Sequence, residues 1–94
     1  MAEPTVVHNE AAHQFEIVTG NGRVLLRYIR RGDVLELVHT EVADEYEGRG
    51  FGSALARAAL DYARAHNLTV IPTCPFVRSW MAHHHEYDDL LVKS

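Results

Sequence analysis

Ninety-four residues, 47% of them hydrophobic, with a net charge of -4, describe one small globular domain spanning residues 1–94, its core expected at about 14–91. The acidic balance argues against general nucleic-acid binding, and the single cysteine, Cys74, excludes an internal disulfide. No apolar run reaches membrane-spanning length and no basic-then-apolar leader opens the chain, so the expected compartment is a reducing cytoplasm.

In chain order, residues 15–18 form a short predicted strand. Gly20-Asn21-Gly22 is hairpin punctuation. Residues 24–29 alternate Val24, Leu26 and Tyr28 with Leu25, Arg27 and Ile29, as a strand does. Arg31-Gly32-Asp33 is a tight turn. Residues 34–42 make a third strand, with Leu35, Leu37, His39 and Glu41 expected on one face and Val34, Glu36, Val38, Thr40 and Val42 on the other. This half is an antiparallel meander.

The second half changes period. After Gly48, Gly50 and Gly52, the apolar residues Phe51, Leu55, Ala58, Ala59 and Tyr62 recur at helical spacing. Arg57 and Asp61 are expected to pair across one turn. Five alanines between 56 and 65 favour helix, and Asn67 suits a left-handed stop. Residues 68–71 read as a buried strand. Pro75 fits the first position of a second helix over residues 76–84, and residues 87–92 close the chain with a turn.

The glycine loop therefore joins a strand to a helix N-terminus. Unpaired amides and the positive end of the helix dipole make that junction an anion site, best suited to a phosphate or pyrophosphate. A nucleoside-triphosphate loop would need Lys and then Ser or Thr after its last glycine. Here Ser53 follows Gly52 directly. A dinucleotide fingerprint would need a third glycine where Ser53 stands, and a doubly wound sheet rather than a meander around it.

Glu47-Gly48-Arg49-Gly50-Phe51-Gly52 resembles the Q/R-x-x-G-x-G/A signature of the GNAT acetyltransferases. Gly50 and Gly52 match its fixed glycines, and Glu47 departs from the usual Gln or Arg. Together with VHTEV at 38–42 and IPTCPFVRSWMAHHHEYDDLL at 71–91, the loop resembles the small GNAT-like proteins over roughly residues 14–91. His85 stands where that subfamily usually has Pro. The resemblance implies an α+β reduced GNAT fold: an antiparallel meander, then β-loop-α-β-α around the pyrophosphate loop. It lacks the two helices usually inserted after the first strand, and the few residues around Thr19, Gly20 and Asn21 leave no room for them. It further implies acetyl coenzyme A as cosubstrate, held by Val42, Glu47, Gly48, Arg49, Gly50, Phe51, Gly52, Ser53 and Cys74. The implied activity is acetyl transfer to an unidentified amine. The alternative is a non-catalytic coenzyme A-binding regulatory module.

Cys74 precedes Pro75 at a helix start, where the dipole favours a thiolate, although a lone cysteine is commonly a core residue. In the resembled fold this position lies near the thioester, and a cysteine there has been proposed as catalytic. His39 and Glu41, on the strand leading into the loop, are candidates for a general base or for acceptor positioning. Tyr46 is expected to pack. No tyrosine occupies the position on the last helix where ordinary GNAT enzymes often keep a general acid; Trp80 and Tyr87 are the nearest aromatics. His83-His84-His85 does not suggest metal, because neighbouring helical residues point about 100° apart. The expected partners are a small-molecule or peptide amine, with no nucleic acid, no membrane and no metal. The expected state is a monomer or weak homodimer.

Overall fold

Short turns and alternating apolar residues fold the first half back on itself three times. The computed structural model describes residues 4–19 and 23–92. Strands β1 (Val6–Asn9), β2 (Gln14–Ile17), β3 (Val24–Arg31), β4 (Val34–Val42) and β5 (Thr69–Pro72) form one sheet in the order β1-β2-β3-β4-β5. The first four are antiparallel neighbours, and β5 joins β4 in parallel. Helix α1 (Phe51–Ala65) connects β4 to β5, and α2 (Pro75–Met81) follows β5. The 3-10 turns Asp44–Tyr46 and His85–Leu90 complete the described chain.

Local chemistry sets several boundaries. Gly32 adopts φ 57° in the β3–β4 turn, and Asn67 adopts φ 57° just beyond α1, a conformation that Gly and Asn reach at least cost. Pro75 occupies the first turn of α2. The turn expected at residues 20–22 lies outside the described residues.

Five expectations change. β1 is a strand that no periodic pattern in the sequence predicts. Its residue His8 stacks on Phe15 at 4.3 Å, so tertiary contact rather than local pattern holds it in place. Helix α2 ends at Met81, not near residue 84. The His83 and His84 rings donate through Nδ1 to the Ser79 and Trp80 carbonyls at 3.1 and 2.7 Å, satisfying the last turn from outside the helix. Arg57 and Asp61 do not pair within α1. Arg57 reaches Glu86 at 3.9 Å, and Asp61 accepts from the Tyr87 hydroxyl at 2.7 Å. The buried stripe of α1 is Leu55, Ala56, Ala59, Leu60 and Ala63, rotated from the expected one, with Phe51, Ala58 and Tyr62 at its margin.

The fifth change is in β4. Arg27 pairs with His39 but Tyr28 pairs with Leu37, leaving Val38 as an extra residue. Such a bulge reverses the alternation beyond it. Thr40 and Val42 then share the core face with Leu35 and Leu37, being paired with the buried Leu26 and Val24. His39 and Glu41 turn to the opposite face.

Both helices cover the same sheet face. Leu26, Leu35, Leu37 and Val70 from the sheet meet Leu55, Leu60 and Val77 from the helices in one fully buried cluster. Each such side chain contributes about 1.5–3 kcal/mol by leaving water.

Candidate acyl-donor site

The loop between β4 and α1 is held at its base by aromatic contact. Tyr46 stacks on Phe51 with centroids 5.2 Å apart, and the Arg49 guanidinium lies 5.7 Å from the Tyr46 ring. Gly48 and Gly50 have φ 78° and 80°, and nothing lies within 4 Å of where a side chain would begin at either. These glycines serve the backbone conformation. Gly52 differs. A Cβ there would stand 2.7 Å from Phe76 Cζ, so this glycine makes room for a ring of α2.

Gly50 is the N-cap of α1 and offers no side chain, and the first helical turn holds no acidic residue. The first intrahelical bond runs from the Ala54 N–H to the Gly50 carbonyl at 3.0 Å. The amides of Phe51, Gly52 and Ser53 precede it, so the helix cannot satisfy them. They border a cavity of about 470 Å³ lined by Val42, Glu47, Gly50, Ser53, Phe76 and Trp80 among others. Trp80 Nε1 donates to Ser53 Oγ at 2.7 Å, tying α2 to the first turn of α1.

Beside this cavity the sheet opens. β4 and β5 pair only from Val34 with Thr69 to Leu37 with Pro72. Beyond that point, among the described residues, no strand lies alongside residues 38–42 on the side away from β3. Cys74 closes the apex of the gap. Its amide donates to the Leu37 carbonyl at 2.8 Å, and its Sγ lies 3.2 Å from Thr40 Oγ1. Cys74 is 3% exposed and belongs to the core cluster.

The expected site residues fall in four places. Val42, Glu47, Gly48, Gly50, Phe51, Gly52 and Ser53 line the one cavity. Arg49 lines a second hollow of about 830 Å³ on the other side of the loop, with Pro4, Val7, Ile17 and Val18. Cys74 stands at the gap. His39 and Glu41 do not join it: the bulge puts them on the far sheet face, 3.6 Å from each other, where Glu41 also meets Arg23 at 3.4 Å. Thr40, Phe76 and Trp80 were not expected at the site. The signal for Thr40 was present as a phase shift, Leu35 and Leu37 giving way to Thr40 and Val42. Among the described residues no group of three or more His, Cys, Asp or Glu side chains is arranged to hold a metal ion, and no helix is long and apolar enough to cross a membrane.

A meander, a helix with an uncapped N-terminus and a parallel fifth strand that parts from the fourth define a protein of GNAT fold. The chain belongs to the GCN5-related N-acetyltransferase family, whose sequence pattern matches residues 14–90. It is similar to Protein NATD1 of Mus musculus and of Homo sapiens, each 35% identical over 79 residues. The match spans 81% of this chain and 72% and 70% of those proteins. The solution structure of a GCN5-like protein from Staphylococcus aureus superimposes with a TM-score of 0.75 at 25% identity, covering 100% of this chain and 93% of that one.

Proposed function

We infer that the protein binds acetyl coenzyme A and transfers its acetyl group to an amine. The observation that carries this reading is the uncapped, acid-free N-terminus of α1, facing a cavity beside the parting of β4 and β5. A pyrophosphate would accept hydrogen bonds from the amides of Phe51, Gly52 and Ser53 and gain from the helix dipole. The pantetheine arm, an extended chain with two amides, would lie along residues 38–42 in the manner of an added strand. That course brings the thioester toward Thr40 and Cys74.

Transfer then proceeds by direct attack. The neutral amine adds to the thioester carbon, the ammonium proton of the tetrahedral intermediate passes through water to the departing sulfur, and the carbonyl re-forms as the C–S bond breaks to release the coenzyme A thiol. Cys74 lines the apex rather than acting as nucleophile, because its thiol is buried and bonded to a hydroxyl, which is not a base. A coenzyme A-binding module without catalysis is the second reading. It is favoured by the displacement of His39 and Glu41 to the opposite sheet face.

Calorimetric titration with acetyl coenzyme A, followed by mass spectrometry of the protein and of a panel of amines, tests both readings. Binding with acetylated amine and no acetyl-Cys74 is the expected result. Binding without any acetylated product would favour the module. Absence of binding would overturn both.

A further inference from the structure

The hydrogen bond between the two helices has a direction. An indole N–H donates and cannot accept, so Ser53 Oγ is the acceptor in its 2.7 Å bond with Trp80. The serine keeps one proton to give away. Among the described residues no other hydrogen bond engages this hydroxyl. Ser53 lies in the first turn of α1, beside the uncapped amides of Phe51 and Gly52, and lines the same cavity.

We propose that Trp80 is a positioning residue for recognition of the donor's phosphates. By occupying a lone pair of Ser53 Oγ, it turns the Ser53 O–H into the cavity, where the hydroxyl joins the amides of Phe51 and Gly52 on a phosphate oxygen. This rests on the coenzyme A reading above and adds a source of affinity that the glycine loop alone does not supply. The indole is itself fixed. It is 8% exposed, the His84 ring stacks on it at 3.6 Å with 6° between planes, and the Arg57 guanidinium lies 5.3 Å from it. Three elements therefore set the direction of the N–H before any ligand arrives: α2, the His84 segment and the middle of α1. Ordering the hydroxyl in advance lowers the cost of binding.

Calorimetry with coenzyme A on the wild type, Trp80→Phe, Ser53→Ala and the double variant tests the proposal. A hydrogen bond to a charged oxygen corresponds to about tenfold in affinity. Each single variant is expected to lose about that much. The double variant should lose no more than the weaker single variant, since both changes disable one hydroxyl. Ser53→Thr should stay close to wild type. S-acetyl-pantetheine, which has no phosphate, should bind all four proteins alike in a ligand-observed NMR titration. Three results would overturn the role of Trp80: an unchanged Kd in Trp80→Phe, losses that multiply in the double variant, or an equal loss for S-acetyl-pantetheine, which would mark ring packing as the cause. Should Trp80→Phe fail to fold, the contrast between Ser53→Ala and Ser53→Thr decides, and equal affinities there would overturn the proposal. A wild type that binds no coenzyme A would bring down the underlying reading, whereas normal wild-type binding with an unaffected Trp80→Phe brings down this inference alone.

Discussion

Two of the loop glycines answer to the backbone and one answers to a neighbour, and substitution should separate them. At Gly50, φ 80° penalises any side chain by about 1–2 kcal/mol. Gly50→Ala should therefore lower stability by about 1 kcal/mol and weaken coenzyme A, because relief of the strain moves the amides of α1. At Gly52 a methyl group would meet only the end of the Phe76 ring, whose residue is 42% exposed and free to turn. Gly52→Ala should cost no more than about 0.5 kcal/mol. Urea denaturation of both variants measures the difference, and a larger loss in Gly52→Ala than in Gly50→Ala would contradict it. Cys74 makes a third case at this scale. Buried and bonded to Thr40, it should react slowly with iodoacetamide in the free protein. Cys74→Ala should still acetylate amines, with any deficit in KM rather than in kcat. Loss of turnover in that variant would reinstate the cysteine as nucleophile.

At the level of elements, β1 depends on a histidine. His8 hydrogen-bonds the Tyr28 hydroxyl at 2.7 Å and meets the edge of the Tyr62 ring at 4.6 Å. Burial, first among the causes, pushes its pKa below the ordinary value, with nearby His66 adding to the effect and Glu10 opposing it. Because the folded pKa is depressed, the unfolded chain binds the proton more readily. The resulting stability is complete above the unfolded value of about 6.5 and is lost as pH falls from there through the lower folded pKa. Melting temperature should decline between pH 7.5 and 5.5 in the wild type and decline less in His8→Gln. Parallel curves would exclude His8 as the source. Glu16 and Glu36 have carboxyls held below their usual range, by hydrogen bonds led by Gln14 and by Thr73 respectively. Their contributions disappear only in more acidic solution, so the two windows are separable. The same element shows what a linear reading can reach. β2 to β5 and α1 were legible because Gly32, Asn67 and Pro75 mark boundaries by local conformational preference. β1 was not, since Val6-Val7-His8-Asn9 has no periodic pattern and is fixed by rings from β2, β3 and α1. In the site, the glycine loop was legible from spacing. The Thr40–Cys74 contact depends on a bulge, and the Trp80–Ser53 bond joins residues 27 apart in sequence, so neither follows from a local rule.

The whole molecule measures 40 × 30 × 22 Å. A thickness of 22 Å is that of one sheet and one helical layer at about 10 Å each, and among the described residues no helix packs on the far sheet face. That face carries Arg27, Glu36, His39 and Glu41 around Leu25, which its cross-strand neighbours Glu16 and Glu41 flank. The connection between β2 and β3 occupies residues 18–23 and is too short to contain helices. That connection therefore supplies no helix to enclose an acceptor over the gap between β4 and β5. Discrimination among small substrates comes from surrounding contacts, a methylene in a closed hydrophobic pocket being worth about 1–3 kcal/mol. An open approach forgoes most of that energy. Small primary amines of differing side chain should thus be acetylated with kcat/KM values within about tenfold of one another. The measurement is a panel of such amines at fixed acetyl coenzyme A, on protein shown by light scattering to be monomeric. Selection of one small amine by more than about a hundredfold would show that the acceptor site is closed by residues of this chain. Selectivity confined to a dimer would place the missing wall on a second copy.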